Sequence, residues 1–193
     1  IEFTPSTTPD GLTARIAWSP DADGSNAADK AGSGTSGIKN SGWDVTLEAT
    51  SDLIGVDGLT LYGGISQVDQ DQSKATVTGD AEERVIGLKY AAGGFTVGWQ
   101  DNEDKQGTTA NNTYDNTMYS VTFSVNDDLS LGYNHVESDK EGSNTAEATS
   151  IQAAYTMGGA TLRIAEVSVD NQQYLTASTS DLDATIISLG LAF

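Results

Sequence analysis

The chain has 193 residues, with 28 acidic side chains, 9 basic ones and no cysteine, and its net charge is −19. This acidity excludes recognition of nucleic acid, whose phosphates need lysine and arginine, and the lack of cysteine excludes disulfides and thiol catalysis. No uncharged stretch reaches the ~20 residues of a membrane-spanning helix. A membrane β-barrel stays open, because only every second residue of its strands meets lipid.

Strict alternation of large apolar residues with small or polar ones dominates the chain. Period two is typical of strands with two different faces, and no window shows the 3.6-residue period of a helix, so we predict no helix. The predicted strands are Leu12–Trp18, Trp43–Ala49, Leu59–Ile65, Ile86–Tyr90, Phe95–Trp99, Tyr119–Val125, Leu129–Asn134, Ile151–Met157, Ala160–Val169 and Thr185–Phe193. An eleventh is added if residues 1–4 are the end of another strand.

In one predicted strand the alternation does not assign the apolar residues to a single face. Within Ala160–Val169, Leu162 and Ile164 suit one face, whereas the alanine and valines from Ala165 onward suit the other. A β-bulge or a buried environment would explain the switch.

Short and long connections alternate along the chain. The short ones are 4–11, 50–58, 91–94, 126–128 and 157–160, and the long acidic ones are about 19–42, 68–82, 101–115, 137–148 and 169–182. A soluble β-sandwich would have loops of similar length at both ends, whereas short turns at one end and long loops at the other are the geometry of a membrane barrel. The predicted fold class is therefore all-β, an antiparallel up-and-down transmembrane β-barrel.

Aromatic residues fall mostly near the ends of the apolar stripes. Rings at these levels form the girdles of membrane barrels, where they meet the lipid headgroups. The predicted girdle consists of Trp18, Trp43, Tyr90, Phe95, Trp99, Tyr119, Tyr133, Tyr155 and Phe193.

The last predicted strand resembles the C-terminal signature of bacterial outer-membrane barrels. Phe193 ends the sequence, and Ile187, Leu189 and Leu191 lie on its face of the strand. The resemblance implies that these four residues are the signal read by the barrel-assembly machinery, a partner during biogenesis.

Two further segments resemble the general diffusion porins of alphaproteobacteria, namely 87–98 and 130–133. The resemblance implies a sixteen-stranded homotrimer in the bacterial outer membrane, in contact with lipid and lipopolysaccharide, that passes small hydrophilic solutes and ions without any enzymatic step. It also implies that residues 1–193, as a single barrel domain of ten or eleven strands, correspond to the C-terminal two-thirds of such a porin. The constriction loop of the family would then lie before Ile1.

Charged residues in the middle of polar strand faces are candidates for lining the pore. In a porin they would project into the lumen and create a field that orients dipolar solutes and sets a weak ion preference. The predicted pore-lining residues are Arg15, Asp44, Glu48, Lys89 and Arg163.

Acidic pairs in the predicted loops suggest weak Ca²⁺ binding. Asp21 with Asp23 and Asp69 with Asp71 supply the carboxylates that Ca²⁺ prefers, although no required cofactor is expected and solvated charge is the favoured explanation of the pairs. Two alternatives to a porin stay open. One is a narrow ten-stranded barrel that acts as an adhesin, anchor or receptor, and the other is a soluble acidic Ca²⁺-binding β-protein.

Overall fold

The computed structural model describes residues 1–22, 39–109, 113–177 and 180–191. Within these ranges the chain forms one antiparallel sheet of eleven strands, in which each strand pairs with its neighbours in sequence. The strands are β1 (Glu2–Phe3), β2 (Leu12–Ser19), β3 (Lys39–Ala49), β4 (Leu59–Gln70), β5 (Ala81–Ala92), β6 (Phe95–Lys105), β7 (Thr113–Ser124), β8 (Leu129–Lys140), β9 (Ala146–Met157), β10 (Ala160–Asp170) and β11 (Leu182–Leu191). The additional strand that the sequence suggested at residues 1–4 is β1, which pairs with β2.

The connections at the two ends of the sheet differ as the sequence predicts. We call the end that carries the short connections 50–58, 93–94, 125–128 and 158–159 the turn end, and the opposite end the loop end. At the turn end Gly93 and Gly94 both have positive φ, as the two-residue turn of a twisted hairpin requires.

The prediction that the chain contains no helix is wrong at two short segments. Ser51–Ile54 forms one α-helical turn, α1, that ends at Gly55 with a φ of 77°, and Gln172–Tyr174 forms a 3₁₀ turn. Segments of three or four residues cannot display a helical period, because one turn already takes 3.6 residues. Among the described residues, no helix has the length and apolar character needed to cross a membrane.

Most strands extend further toward the loop end than predicted. The predicted loops 101–115 and 137–148 shrink to the connections 106–112 and 141–145, because β6 to β9 each have 11 or 12 residues. These extensions are polar on both faces, so hydrophobic alternation could not reveal them.

The sheet has two chemically different faces. Directly opposed residues of an antiparallel pair point to the same side, and the register pairs Trp18 with Trp43 and Trp99 with Tyr119. We call the side that carries these rings the tryptophan face. The other side, which carries Arg15 opposite Thr46, is called the polar face.

The change of faces within β10 occurs without a bulge. The register of β10 is continuous with both β9 and β11, whereas the register shift of this sheet lies in β3, between Lys39 and Gly42. Of the two explanations for the switch, the bulge is therefore wrong. Beyond Ile164 the apolar residues Val167, Val169 and Ile186 lie on the polar face.

Burial is concentrated at the loop end. The most buried residues of the described chain include Val68, Gln70 and Val77, where connection 71–80 packs against the 106–109 segment through a bridge between Val77 and Thr108. The rest of the sheet is a single layer whose apolar side chains are widely exposed. In the described ranges β11 pairs only with β10, so the narrow closed barrel of ten strands is not formed.

Candidate functional site

The five predicted pore-lining residues all lie on the polar face. On β2 and β3, Arg15, Asp44 and Glu48 share it through the pairs Arg15–Thr46, Ala17–Asp44 and Thr13–Glu48. Lys89 reaches it on β5 and Arg163 on β10. The register thus brings together side chains that lie up to 148 positions apart in sequence (15 to 163), although whether they line a lumen stays a prediction.

The three bases of this set lie at one height. Arg15 is three residues from the first residue of β2, Lys89 three from the last residue of β5, and Arg163 three from the first residue of β10, all counted from the turn end. We call Arg15, Lys89 and Arg163 the basic tier. The residues opposite them are uncharged: Thr46, Thr60, Gly98, Ala154 and Ser188.

The side chains of the basic tier are exposed and unpaired. In the part of the chain that the structure describes, none of the three has a carboxylate within ion-pair distance. Glu48, the nearest carboxylate in the register, borders a groove of about 270 Å³ together with Arg15 and Tyr62. The positive charge of the basic tier is therefore available to a solute or ion on this face.

Apart from Glu48, the described carboxylates of β3, β5 and β6 on the polar face lie further from the turn end than the basic tier does. Asp44 is five residues from the turn end of β3, and Glu83 and Asp104 are each nine residues from the turn ends of β5 and β6. All three line a groove of about 520 Å³, with Gln100, Asn102 and Asn116 among its other walls. The sequence-based prediction included Asp44 but missed Glu83 and Asp104, because they fall beyond the apolar alternation that defined the predicted strands.

Small or amide side chains cover the middle of the polar face. Asn134 donates a hydrogen bond to Ser150 Oγ across β8 and β9 at 3.2 Å. On β4 the Tyr62 ring lies over Gly87, where a side chain would collide with it, and its hydroxyl donates to Gln100 Oε1 at 2.9 Å. Such a surface suits water and small polar solutes.

Residues 171–177, within the predicted loop 169–182, fold over the polar face at the loop end. The Tyr174 hydroxyl lies 2.9 Å from Ser138 Oγ, and the Lys140 ammonium lies 5.3 Å from the ring centre of Tyr114 and 5.7 Å from that of Tyr174. Asn171, Gln173 and Tyr174 all have positive φ, a conformation that costs non-glycine residues free energy and needs support from contacts. The sequence signal was a single aromatic residue within a polar loop.

The tryptophan face holds all the described girdle residues. Trp18, Trp43, Trp99, Tyr119 and Tyr133 lie four to six residues from the turn end, whereas Tyr90, Phe95 and Tyr155 lie within two. Phe123 joins the lower group by stacking on Phe95 at 4.3 Å. Phe193 lies outside the described residues, and Ile187, Leu189 and Leu191 are exposed on this face. The membrane and assembly roles of these residues stay predictions.

His135 is the single histidine of the chain. Its side chain lies on the tryptophan face, stacked on Tyr119 at 4.7 Å, with Thr149 Oγ1 and Glu137 Oε1 each 3.0 Å from a ring nitrogen. Ser138 points to the opposite face. The serine and histidine close in sequence are therefore separated by the sheet, and the imidazole is buried by its neighbours.

The predicted calcium ligands are held by protein partners where they are described. Asp69 accepts a hydrogen bond from Ser41 at 2.6 Å, and Asp71 accepts two from Ser73 with Lys74 at 3.9 Å. Asp21 is described, but Asp23 lies outside the described residues. Across the four described ranges, no group of three potential ligands is arranged to hold a metal ion. Calcium binding stays a prediction.

The long strands form an antiparallel meander with an apolar tryptophan face on one side and a polar face on the other. Together these features define the wall of a transmembrane β-barrel. The chain belongs to the Gram-negative porin family, whose model matches residues 1–191. This membership places it in the bacterial outer membrane and overturns the alternative of a soluble β-protein. The curated proteins include no sequence that matches the chain significantly.

Solved porins share the fold at low sequence identity. The OmpF porin of Salmonella typhi, solved in complex with daunomycin, is 14% identical with a TM-score of 0.66 over 94% of this chain and 57% of its own. A porin refined at 1.8 Å resolution is also 14% identical with a TM-score of 0.66, over 100% of this chain and 60% of its own. A mutant of the Rh. blastica porin is 17% identical with a TM-score of 0.53, over 97% and 71%. The chain thus spans about 60% of the length of the first two porins.

Proposed function

We propose that this chain forms much of the wall of an outer-membrane channel through which small hydrophilic solutes and ions diffuse passively. One observation carries the proposal: a polar face made largely of small and amide side chains, with charged residues projecting from it, lies behind an apolar face ringed by aromatics. Water can fill a lumen lined by the first face while lipid covers the second. The proposed function includes no covalent step.

The channel is proposed to act as a homotrimer surrounded by lipid and lipopolysaccharide. Family membership supports this assembly. We further propose that Ile187, Leu189, Leu191 and Phe193 present the strand that the assembly machinery reads, since the first three are exposed on the lipid-facing side of β11.

Planar-bilayer recording of the detergent-extracted protein tests the channel function. We expect large stable conductance steps that arrive or close in threes, and the same protein heated in denaturant serves as the control. Folded protein, verified by its β-sheet circular dichroism, that gives no steps would contradict the channel function. Steps without grouping would contradict only the trimer.

A further inference from the structure

The charges of the polar face are separated along the strand direction. The basic tier of Arg15, Lys89 and Arg163 lies three residues from the turn end, whereas Glu83 and Asp104 lie nine residues from it. On β5, Lys89 and Glu83 stand six residues apart on one face, which is about 20 Å at the rise of an extended strand. The segregation is axial, in addition to any field across the lumen.

From this arrangement we infer that the channel rectifies: it conducts ions better when the loop side is positive than when the turn side is positive. The inference rests on the proposed channel function, because the polar face must line the conducting lumen. It concerns the ionic solutes of that channel and names Arg15, Lys89 and Arg163 as the residues that set the direction.

The direction follows from which ions each end of the lumen concentrates. Carboxylates near the loop end attract cations, and the bases of the basic tier attract anions near the turn end. With the loop side positive, cations enter at the end that attracts cations and anions enter at the end that attracts anions, so both accumulate. With the opposite polarity each ion meets a like-charged entrance, and the middle of the lumen is depleted of carriers.

Other charges on this face do not cancel the separation. Among the described strand residues of this face, Glu48 is the carboxylate below the three bases, and Glu2, opposite Ala17, lies level with Asp44. At the loop end, Lys140 lies over the rings of Tyr114 and Tyr174, and Lys39 is close enough to interact with Asp104. Arg84 is the base among the described residues that border the acidic groove of Asp44, Glu83 and Asp104, and it is paired with Glu103 at 3.2 Å.

Salt concentration gives the inference a quantitative signature. Ions screen a charge over about 10 Å at 0.1 M and about 3 Å at 1 M, so the two zones control the ions of a lumen only in dilute salt. We expect the ratio of currents at about +100 and −100 mV to exceed about 1.5 in roughly 0.05 M KCl and to approach about 1 in roughly 1 M KCl.

The experiment compares the native porin with charge variants in oriented bilayers. Because the chain has no cysteine, Ser143→Cys in connection 141–145 labelled with an impermeant maleimide reports which chamber the loop end faces. The triple variant Arg15→Gln, Lys89→Gln, Arg163→Gln is expected to lose rectification. Lys105→Gln is the matched control, since Lys105 is a base on the tryptophan face, 3.0 Å from Glu103, and should leave the current ratio unchanged.

The outcomes separate the inference from the proposed function. Absence of any conductance from folded protein overturns the channel function itself. Stable steps with equal currents at both polarities in dilute salt overturn the rectification while leaving the channel intact. Rectification that survives in the triple variant overturns the assignment to the basic tier. If that variant does not fold, Asp44→Asn with Asp104→Asn tests the other end, where the inference again requires a smaller current ratio.

Discussion

The half of each long strand nearer the turn end (the turn half) and the half nearer the loop end (the loop half) carry different kinds of side chain on the tryptophan face. In the turn half, β10 places Leu162 and Ile164 on the tryptophan face and Arg163 on the polar face. In the loop half of the same strand, Glu166 and Asp170 occupy the tryptophan face, with Glu166 accepting a hydrogen bond from Thr185 at 2.7 Å. The hydrogen-bonded ladder of β10 is continuous from the turn half to the loop half. Both halves therefore have the same secondary structure, and their different side chains reflect different surroundings.

This comparison locates the lipid on the molecule. Apolar side chains cover the tryptophan face only up to about six residues from the turn end, where the ring of Trp18 and the ring of Trp43 lie opposite each other. Asp101 lies level with them, and above them the face carries Glu103 and Asp115. Ionised carboxylates are unfavourable in hydrocarbon, which places the loop half at the level of the polar headgroups or beyond.

The largest expected effect comes from adding one charge to each half of β10. Ile164→Arg puts a cation at the centre of the apolar band and should lower the free energy of unfolding in lipid vesicles by about 2–4 kcal/mol. Ser168→Arg, four residues further along the same face, should cost at most about 1 kcal/mol. Urea titration of the vesicle-inserted protein measures both. Equal losses would break the distinction between the halves.

A second test concerns the rigidity of the turn end. Gly55 and Gly58 both have a φ of 77°, but an added Cβ meets open space at Gly55 and the Ala91 carbonyl at Gly58. Gly55→Ala should cost about 1 kcal/mol of backbone strain. Gly58→Ala should cost at least about 2 kcal/mol, because the chain must also move away from β5. Similar unfolding midpoints for the two variants would show that the turn adapts freely.

The loop end offers a smaller effect through Tyr174. Tyr174→Phe removes the hydroxyl that contacts Ser138, a hydrogen bond worth about 0.5–1.5 kcal/mol. The amides of residues 171–177 should then exchange with solvent about tenfold faster. Tyr155→Phe, on the tryptophan face of the turn half, is the matched control. Unchanged exchange in Tyr174→Phe would indicate that backbone contacts alone hold this loop.

The smallest effect is electrostatic. The side chain and backbone N–H of Ser73 donate hydrogen bonds that lower the pKa of Asp71 below its ordinary value. A pKa that folding lowers stabilises the folded state at neutral pH, and this contribution is lost as the pH falls through the folded-state pKa. Ser73→Ala should raise the pKa of Asp71 in an NMR titration, whereas Ser143→Ala should not.

Sequence-based prediction succeeded in the turn half of the strands and missed much of the loop half. Alternation identified all ten long strands and placed each predicted pore-lining and described girdle residue on its face, because lipid on one side and water on the other impose period two. It shortened β3 to β9 at the loop end, since segments that are polar on both faces carry no such contrast. Glu83 and Asp104 were missed for this reason.

Contacts that depend on tertiary structure were beyond the sequence. The heights of Arg15, Lys89 and Arg163 become comparable only when the strand ends are known, and those ends depend on pairing. The inward fold of Tyr174 depends on Ser138, 36 positions away. The absence of a bulge in β10 likewise follows from the registers with both neighbours.

The polar extension of β8 and β9 carries its connecting hairpin beyond the apolar part of the sheet. Four residues of β8, 137–140, or about 13 Å of extended chain, lie between Val136 and the five-residue connection 141–145, where Gly142 takes a positive φ. Exposed loop tips of this kind tolerate inserted segments. A peptide grafted between Glu141 and Gly142 would be carried clear of the lipid on a stiff stalk, which makes this hairpin a scaffold for displaying antigens on a bacterial surface.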